Sequence, residues 1–262
     1  MRYAPAFLLV WLAALTADGP TAATVDGWTR HAALVEARLT RDIHDGPFLA
    51  IDQPSEAGAR ARMMAGAFVT TKVDTRDRDG RRVDVPDGLV HDWRGDVFIP
   101  GATVDSILSR LEHDAPPAPP TEVLSSRLLG AGPGWNRVGL IVQRRKGITV
   151  VYETEHLVTF KRLQADRAVA TSVATRITEL DDYGTPQQKA KAPGDDHGFL
   201  WRWNAYWRFQ QSPGGVTAEC ESISLSRDVP SVVRFIAGPI IDSTARESMT
   251  GALEAMSRAF RR

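Results

Sequence analysis

The chain has 262 residues, 28.7 kDa, 43% of them hydrophobic and 24% charged, enough for a core that needs no covalent staples. Thirty-two basic residues balance thirty-two acidic ones, so there is no basic excess of the kind a dedicated nucleic-acid binder carries. The single cysteine, Cys220, excludes an intramolecular disulfide and any multi-cysteine zinc or iron–sulfur centre.

At the N-terminus, Arg2 precedes an uncharged apolar run over residues 4–17. Asp18-Gly19-Pro20 breaks the run, and Thr21-Ala22-Ala23 supplies small residues for a signal peptidase. This is the layout of a secretory signal, and the run is too short to span a bilayer comfortably. Residues 1–23 are therefore expected to direct export to a periplasmic or extracellular address. No later stretch approaches the ~18 apolar residues of a membrane span, so none is expected after cleavage.

Residues 24–87 form an N-terminal extension. The pattern over 26–42 predicts an amphipathic helix with Trp28, Ala32, Val35 and Leu39 on one side and Asp26 as its N-cap. Phe48–Ile51 is compatible with a short strand and Ala57–Ala65 with a helix. The mixed-sign charges of Asp74–Asp87 read as a solvated hairpin or loop.

The main domain is expected over 88–262. Leu89–Ile99 alternates, with Trp93, Val97 and Ile99 on one face, and Pro100-Gly101 stops it. Thr103–His113 reads as a helix, with Val104, Ile107, Leu108 and Leu111 at helical spacing. The proline-rich stretch 116–120 is a stiff extended connection. Strands are predicted at 121–129, 136–144, 147–160, 166–179, 199–210 and 216–226, and their short turn-like separators imply antiparallel neighbours. The long polar loop 181–198 has the length at which a connection either covers a pocket or moves freely. A terminal helix follows, with Thr244 and Glu247 spaced as a capping box and Met249, Ala252, Leu253, Met256 and Phe260 in one stripe.

Strand, helix, six antiparallel strands and a long terminal helix predict an α+β fold: a curved seven-stranded sheet gripped by the C-terminal helix. In this order, and in the passage from Pro100 into the helix at 103–113, residues 88–262 resemble the START-like (SRPBCC, helix-grip) superfamily. The strings Gly198–Arg202 and Cys220–Asp228 also resemble a set of exported bacterial proteins without an assigned ligand. The resemblance implies a space between sheet and helix that takes an apolar or amphipathic small molecule, lipids included.

The register of the last hairpin follows from its turn at Ser212-Pro213-Gly214-Gly215. Arg208 should face Glu219, Tyr206 should face Glu221, Trp207 should face Cys220, and Asn204 should face Ile223. One side then carries Arg202, Asn204, Tyr206 and Arg208. The other carries Phe199, Trp201, Trp203, Ala205, Trp207 and Phe209 opposite Ala218, Cys220, Ser222 and Ser224. Such an aromatic stripe either packs the terminal helix as core or lines a cavity with it. On the cavity reading, Trp93, Val97, Tyr152, Trp201, Trp203 and Trp207 contribute from the sheet and Met249, Leu253 and Met256 from the helix. Arg176 and Tyr206 are candidate polar groups, with Ser172 and Thr175 beside Arg176.

Other motifs argue against chemistry. GAGPGW at 130–135 lies between strands and lacks the following helix of a nucleotide loop. No GxSxG elbow, Walker loop or HExxH string is present. Among six scattered histidines, His91 and His156 with Glu153 are the weak catalytic candidates. Asp195 and Asp196 are expected to face water, and Cys220 to be a buried filler. No cofactor, metal or nucleic-acid partner is expected. The leading expectation is thus a carrier or sensor; a cyclase- or hydrolase-type enzyme on the same fold, or a ligand-free structural protein, are the alternatives.

Overall fold

The computed structural model describes residues 19–114, 122–146, 148–229 and 231–260. The apolar N-terminal run and the proline-rich stretch lie outside the described residues. Helix α1 (Ala22–Asp45) starts earlier than the expected helix and is capped by Thr21, not Asp26: the Thr21 hydroxyl accepts from the Thr24 amide at 3.2 Å. A cut after Ala23 would remove this cap. The stretch with strand character at 48–51 instead turns into a short 3-10 helix over Ala50–Asp52, followed by α2 (Ala57–Met64) and an unexpected short strand β1 (Val69–Lys72).

Then come β2 (Gly88–Pro100), α3 (Val104–His113), β3 (Val123–Gly132), β4 (Trp135–Lys146), β5 (Ile148–Gln164) and β6 (Arg167–Asp181). A two-residue strand β7 (Lys189–Ala190) sits in the long loop, before β8 (Arg202–Ser212), β9 (Gly215–Arg227) and α4 (Ser231–Phe260). Among the described residues the sheet has nine strands, two more than expected, because the short β1 and β7 carry no alternation that sequence could register. All pairings are antiparallel, in the order β1-β2-β9-β8-β6-β5-β4-β3 with β7 added to β6. The expected class holds: an antiparallel sheet gripped by a long C-terminal helix.

Tight turns set the register. Gly134 (φ +76°) and Gly214 (φ +82°) supply the left-handed backbone of the β3–β4 and β8–β9 turns. The latter gives Arg208↔Glu219, Tyr206↔Glu221, Trp207↔Cys220 and Asn204↔Ile223, all as the sequence implies.

The C-terminal helix begins at Ser231, thirteen residues before Thr244, so the apparent capping box is interior helix. There the Thr244 hydroxyl donates to the Ile240 carbonyl (2.9 Å), and Ser243 donates to Glu247 (2.7 Å). This helix touches both ends of the sheet. Lys72 of β1 pairs with Asp242 at 2.8 Å. Ser248 accepts from Arg144 of β4 (2.9 Å) and donates to Glu122, just before β3 (2.8 Å). The sheet therefore bends around α4. Gly95 permits the closest approach: a Cβ there would sit 2.6 Å from Met249 Sδ and 2.9 Å from Leu253 Cδ1.

The two faces of the sheet bury different things. On the concave face, α3 and the last turns of α4 pack Val104, Ile107, Leu111, Met249, Leu253 and Met256 against Val97, Ile99, Val158, Phe160, Phe209 and Ala218. On the convex face, Trp28, Val35 and Leu39 of α1 pack against Ile223 and Leu225. Among the described residues, no helix is long and apolar enough to cross a membrane.

Candidate functional site

Alternation along β2, β8 and β9 sends odd-numbered β2 and β8 residues and even-numbered β9 residues to the concave face. Its lower half, beneath α3 and the end of α4, is filled. Val97, Met249, Leu253 and Met256, expected as cavity walls, are at most 4% exposed and belong to this packed core. Toward the other end the packing loosens. Trp203, Ala205, Trp207, Ser172, Ser222, Ser224 and His91 remain half-buried, although Trp93, Cys220 and His156 beside them are buried.

The strip mixes aromatic rings with neutral hydrogen-bonding groups. Trp207 stacks on Phe209, with centroids 5.8 Å apart and planes 4° from parallel. Trp203 donates its indole N–H to Ser222 Oγ (3.0 Å) and meets the His156 ring edge-on at 5.0 Å. The His156 ring lies 3.1 Å from Ser172 Oγ through Nδ1 and 3.1 Å from Thr154 Oγ1 through Nε2. Burial pushes the His156 pKa down to about 4. His91, 2.9 Å from Ser226 Oγ, is also lowered to about 4, by burial. Both rings are therefore neutral near pH 7. Tyr152 is buried with Val150 and Leu200 at the wide end, and burial together with nearby Glu179 holds its phenol protonated.

This arrangement does not assemble the acid–base set that His91, His156 and Glu153 were candidates for. Glu153 sits on the opposite face of β5, 3.3 Å from Arg176 and 3.5 Å from Arg127. A neutral histidine held by two hydroxyls has no ionised carboxylate to raise its basicity. Cys220 is buried, and burial with Glu221 and Glu219 raises its thiol pKa well above normal, so it is a filler. Among the described residues, no group of three or more acidic, histidine or cysteine side chains is placed to hold a metal.

Arg176, Thr175, Trp201 and Tyr206, expected as ligand residues, lie elsewhere. Arg176 is exposed on the outer face and paired with Glu155 at 2.8 Å. A β-bulge opposite Glu155–His156 reverses the alternation of β6, so Ser172 points inward while Arg176 points out. Thr175, in the bulge, is exposed and bonds the Glu155 carbonyl (3.1 Å). Trp201 precedes β8, where strand alternation no longer applies, and packs with Trp28 and Leu225 on the convex side. Its indole N–H bonds Asp196 at 3.1 Å, so Asp196 is a structural acceptor and not a solvated loop residue. Phe199 is 50% exposed and stacks on His197.

Tyr206 lies under α1, donating to Glu36 (2.9 Å), within an ionic layer. In that layer Arg208 bonds Glu219 through Nε (2.9 Å) and reaches Asp42 of α1 (3.3 Å). Arg38 pairs with Glu221, His31 lies 3.2 Å from Asp92, and Arg94 bonds Asp96 and Glu56, each at 3.2 Å. The strand pairing of Arg208 with Glu219 was readable in the sequence. Its partners on α1 were not, although the Asp92, Arg94, Asp96 alternation on β2 signals one polar side.

At the far end of the molecule, a hollow of about 320 Å³ lies between α3 and the β5 end, lined by Leu108, Glu112, Phe160 and the Arg162–Asp105 pair among others. It shares no residue with the concave strip.

The long loop is tied to β6, through the β7 pairing and through Glu179. His197 and Lys191 both contact Glu179, with Lys191 at 2.9 Å. Burial raises the Glu179 pKa, but the His197 amide and the side-chain contacts with Lys191 and His197 outweigh it, so the net pKa lies below the usual carboxylate range.

The chain is similar in structure to a STAR-related lipid transfer protein from Xanthomonas axonopodis at 18% identity, covering 68% of this chain and 96% of that one with a TM-score of 0.40. It is similar to human STARD10 at 9% identity, 79% and 81% coverage and a TM-score of 0.42. It is also similar to the Zhui aromatase/cyclase of Streptomyces sp. R1128 at 14% identity, 65% and 93% coverage and a TM-score of 0.36. No family model and no curated protein matches its sequence.

Proposed function

We propose that this protein binds an apolar or amphipathic small molecule, a lipid among the candidates, on the concave face of the sheet under α4. The observation that carries this reading is the half-buried strip of Trp203, Ala205, Trp207, Ser172 and Ser222, left accessible while Val97, Phe209 and Ala218 farther along that face are buried. Aromatic rings with a few neutral polar groups suit a mostly apolar ligand with a small polar feature. Retention without turnover fits the neutral, unassisted His156 better than acid–base catalysis does. Native mass spectrometry of gently purified protein tests the reading. Co-purified or added lipid should give a defined mass increment, and its absence across repeated mild preparations would count against binding.

Export belongs to the same proposal and rests on the signal-like layout of residues 1–23. N-terminal sequencing of protein from a periplasmic fraction should begin before Thr21, which preserves the α1 cap. Full-length protein recovered only from cytoplasm would overturn it.

A further inference from the structure

Under α1 the sheet buries more acid than base. Asp92 and Asp96 of β2 and Glu219 and Glu221 of β9 are each at most 4% exposed, and the buried guanidiniums among them are those of Arg94 and Arg208. Asp96 and Glu219 lie directly opposite each other in the β2–β9 register, their carboxyl groups within hydrogen-bonding reach. Two ionised carboxylates so close repel, and burial removes the water that would screen them.

Donors around the pair are unequally shared. Glu219 accepts from Arg208 at Oε1 (2.9 Å) and from the Ala50 amide at Oε2 (2.7 Å). Asp96 accepts from Arg94 at Oδ2 (3.2 Å), but no donor among the described residues reaches its buried Oδ1. An ionised oxygen is costly in that position, whereas a protonated one becomes a donor with the Glu219 carboxylate in reach. Burial, and then the Glu219 charge, raise the Asp96 pKa in the same sense.

The N-terminal extension is fastened over this pair. From α1, Arg38 pairs with Glu221, Asp42 with Arg208 (3.3 Å) and His31 with Asp92 (3.2 Å), while Glu36 accepts from Tyr206 (2.9 Å). Beyond α1, the Ala50 amide holds Glu219, and Glu56 holds Arg94 (3.2 Å). Asp52 is engaged by Arg60, Arg167 of β6 lies over the Phe48 ring, and Thr75 donates to Asp92 (2.7 Å). Lifting the extension would admit water and let both carboxyls of the pair ionise. Closure is therefore linked to proton retention, favoured at acid pH and weakened as pH rises.

We propose that Asp96 and Glu219 share one proton, and that this proton holds α1 and the segment 48–56 on the sheet. Its loss at alkaline pH loosens the extension while α4, on the opposite face, stays in place.

Infrared spectroscopy of full-length protein, with aspartate carrying carbon-13 in its side-chain carboxyl, reads the proton directly. Near neutral pH an ordinary carboxylate gives no acid carbonyl band. Here such a band should be present, shift with the aspartate label, vanish on alkalisation and be missing from Asp96→Asn. Amide exchange, expressed as protection relative to the intrinsic rate at each pH, reads the fastening. Between about pH 7 and 9, α1 protection should fall by up to about tenfold per pH unit, and α4 protection much less. Asp96→Asn keeps a donor for Glu219 and an acceptor for Arg94 without a titrating proton, so its α1 protection should stay level. Absence of a label-sensitive acid band from the unaltered protein at neutral pH overturns the shared proton, with no substitution needed. Equal loosening of α1 and α4, or the same α1 slope in Asp96→Asn, overturns its fastening role.

Discussion

A histidine ring between two hydroxyls and an indole edge gains little from a proton. For His156 the folded pKa is about 4, against about 6.5 for a free imidazole. Between those values the unfolded chain takes up a proton that the folded chain refuses, so stability is complete above pH 6.5 and lost as pH falls toward 4. One such group sets a slope of at most about 1.4 kcal/mol per pH unit. His156→Gln, which keeps a hydrogen-bonding side chain, should flatten urea-derived stability over this window, with His91 supplying the slope that remains. Asp96 acts with the opposite sign. Burial and the neighbouring Glu219 raise its pKa, so its share of stability is present at acid pH and declines as pH rises above the ordinary carboxylate range. Trp207→Ala should cost about 2 kcal/mol, below the 3–5 of a sealed aromatic, because one side of the stacked ring faces the open strip. At this scale sequence was legible where alternation held. Trp203 and Trp207 share a face as their spacing implies, while Arg176 and Trp201 do not, because a bulge and a strand start interrupt the count.

Among the elements, α1 and the sheet meet through ion pairs as well as through Trp28, Val35 and Leu39. Arg208 is 3% exposed and links Glu219 of the neighbouring strand to Asp42 of the helix. Arg208→Ala leaves Glu219 buried without its counter-charge and should cost about 3–5 kcal/mol by chemical denaturation. Lys72→Ala, at an exposed pair, should cost less than about 1 kcal/mol. Gly95→Ala tests the seat of α4: the added methyl would overlap Met249 and should cost about 1–3 kcal/mol unless the methionine swings away. The β8–β9 hairpin was legible to single-residue register because its turn chemistry is strict. The start of α4 was not, since Thr244 and Glu247 have the spacing of a cap while their hydroxyl and carboxylate serve other partners inside the helix.

For the molecule as a whole, the sequence conveyed layers and strand direction but not strand order. Placing β2 beside β9 depends on pairing residues more than a hundred positions apart, for which no local periodicity exists. Nor could it show that one face is divided, packed solid beneath α3 and left accessible beside Trp203, because the same aromatic stripe serves both halves. The terminal helix spans that division and is fastened unequally. Its Asp242 tie to β1 is an exposed ionic contact, whereas its Ser248 tie to the β4 side runs through a more sheltered hydroxyl bridge. Dissolved electrolyte screens the former and scarcely reaches the latter. Raising ionic strength should therefore quicken amide exchange around Asp242 ahead of Ser248, as a strap slackens first at its weaker buckle.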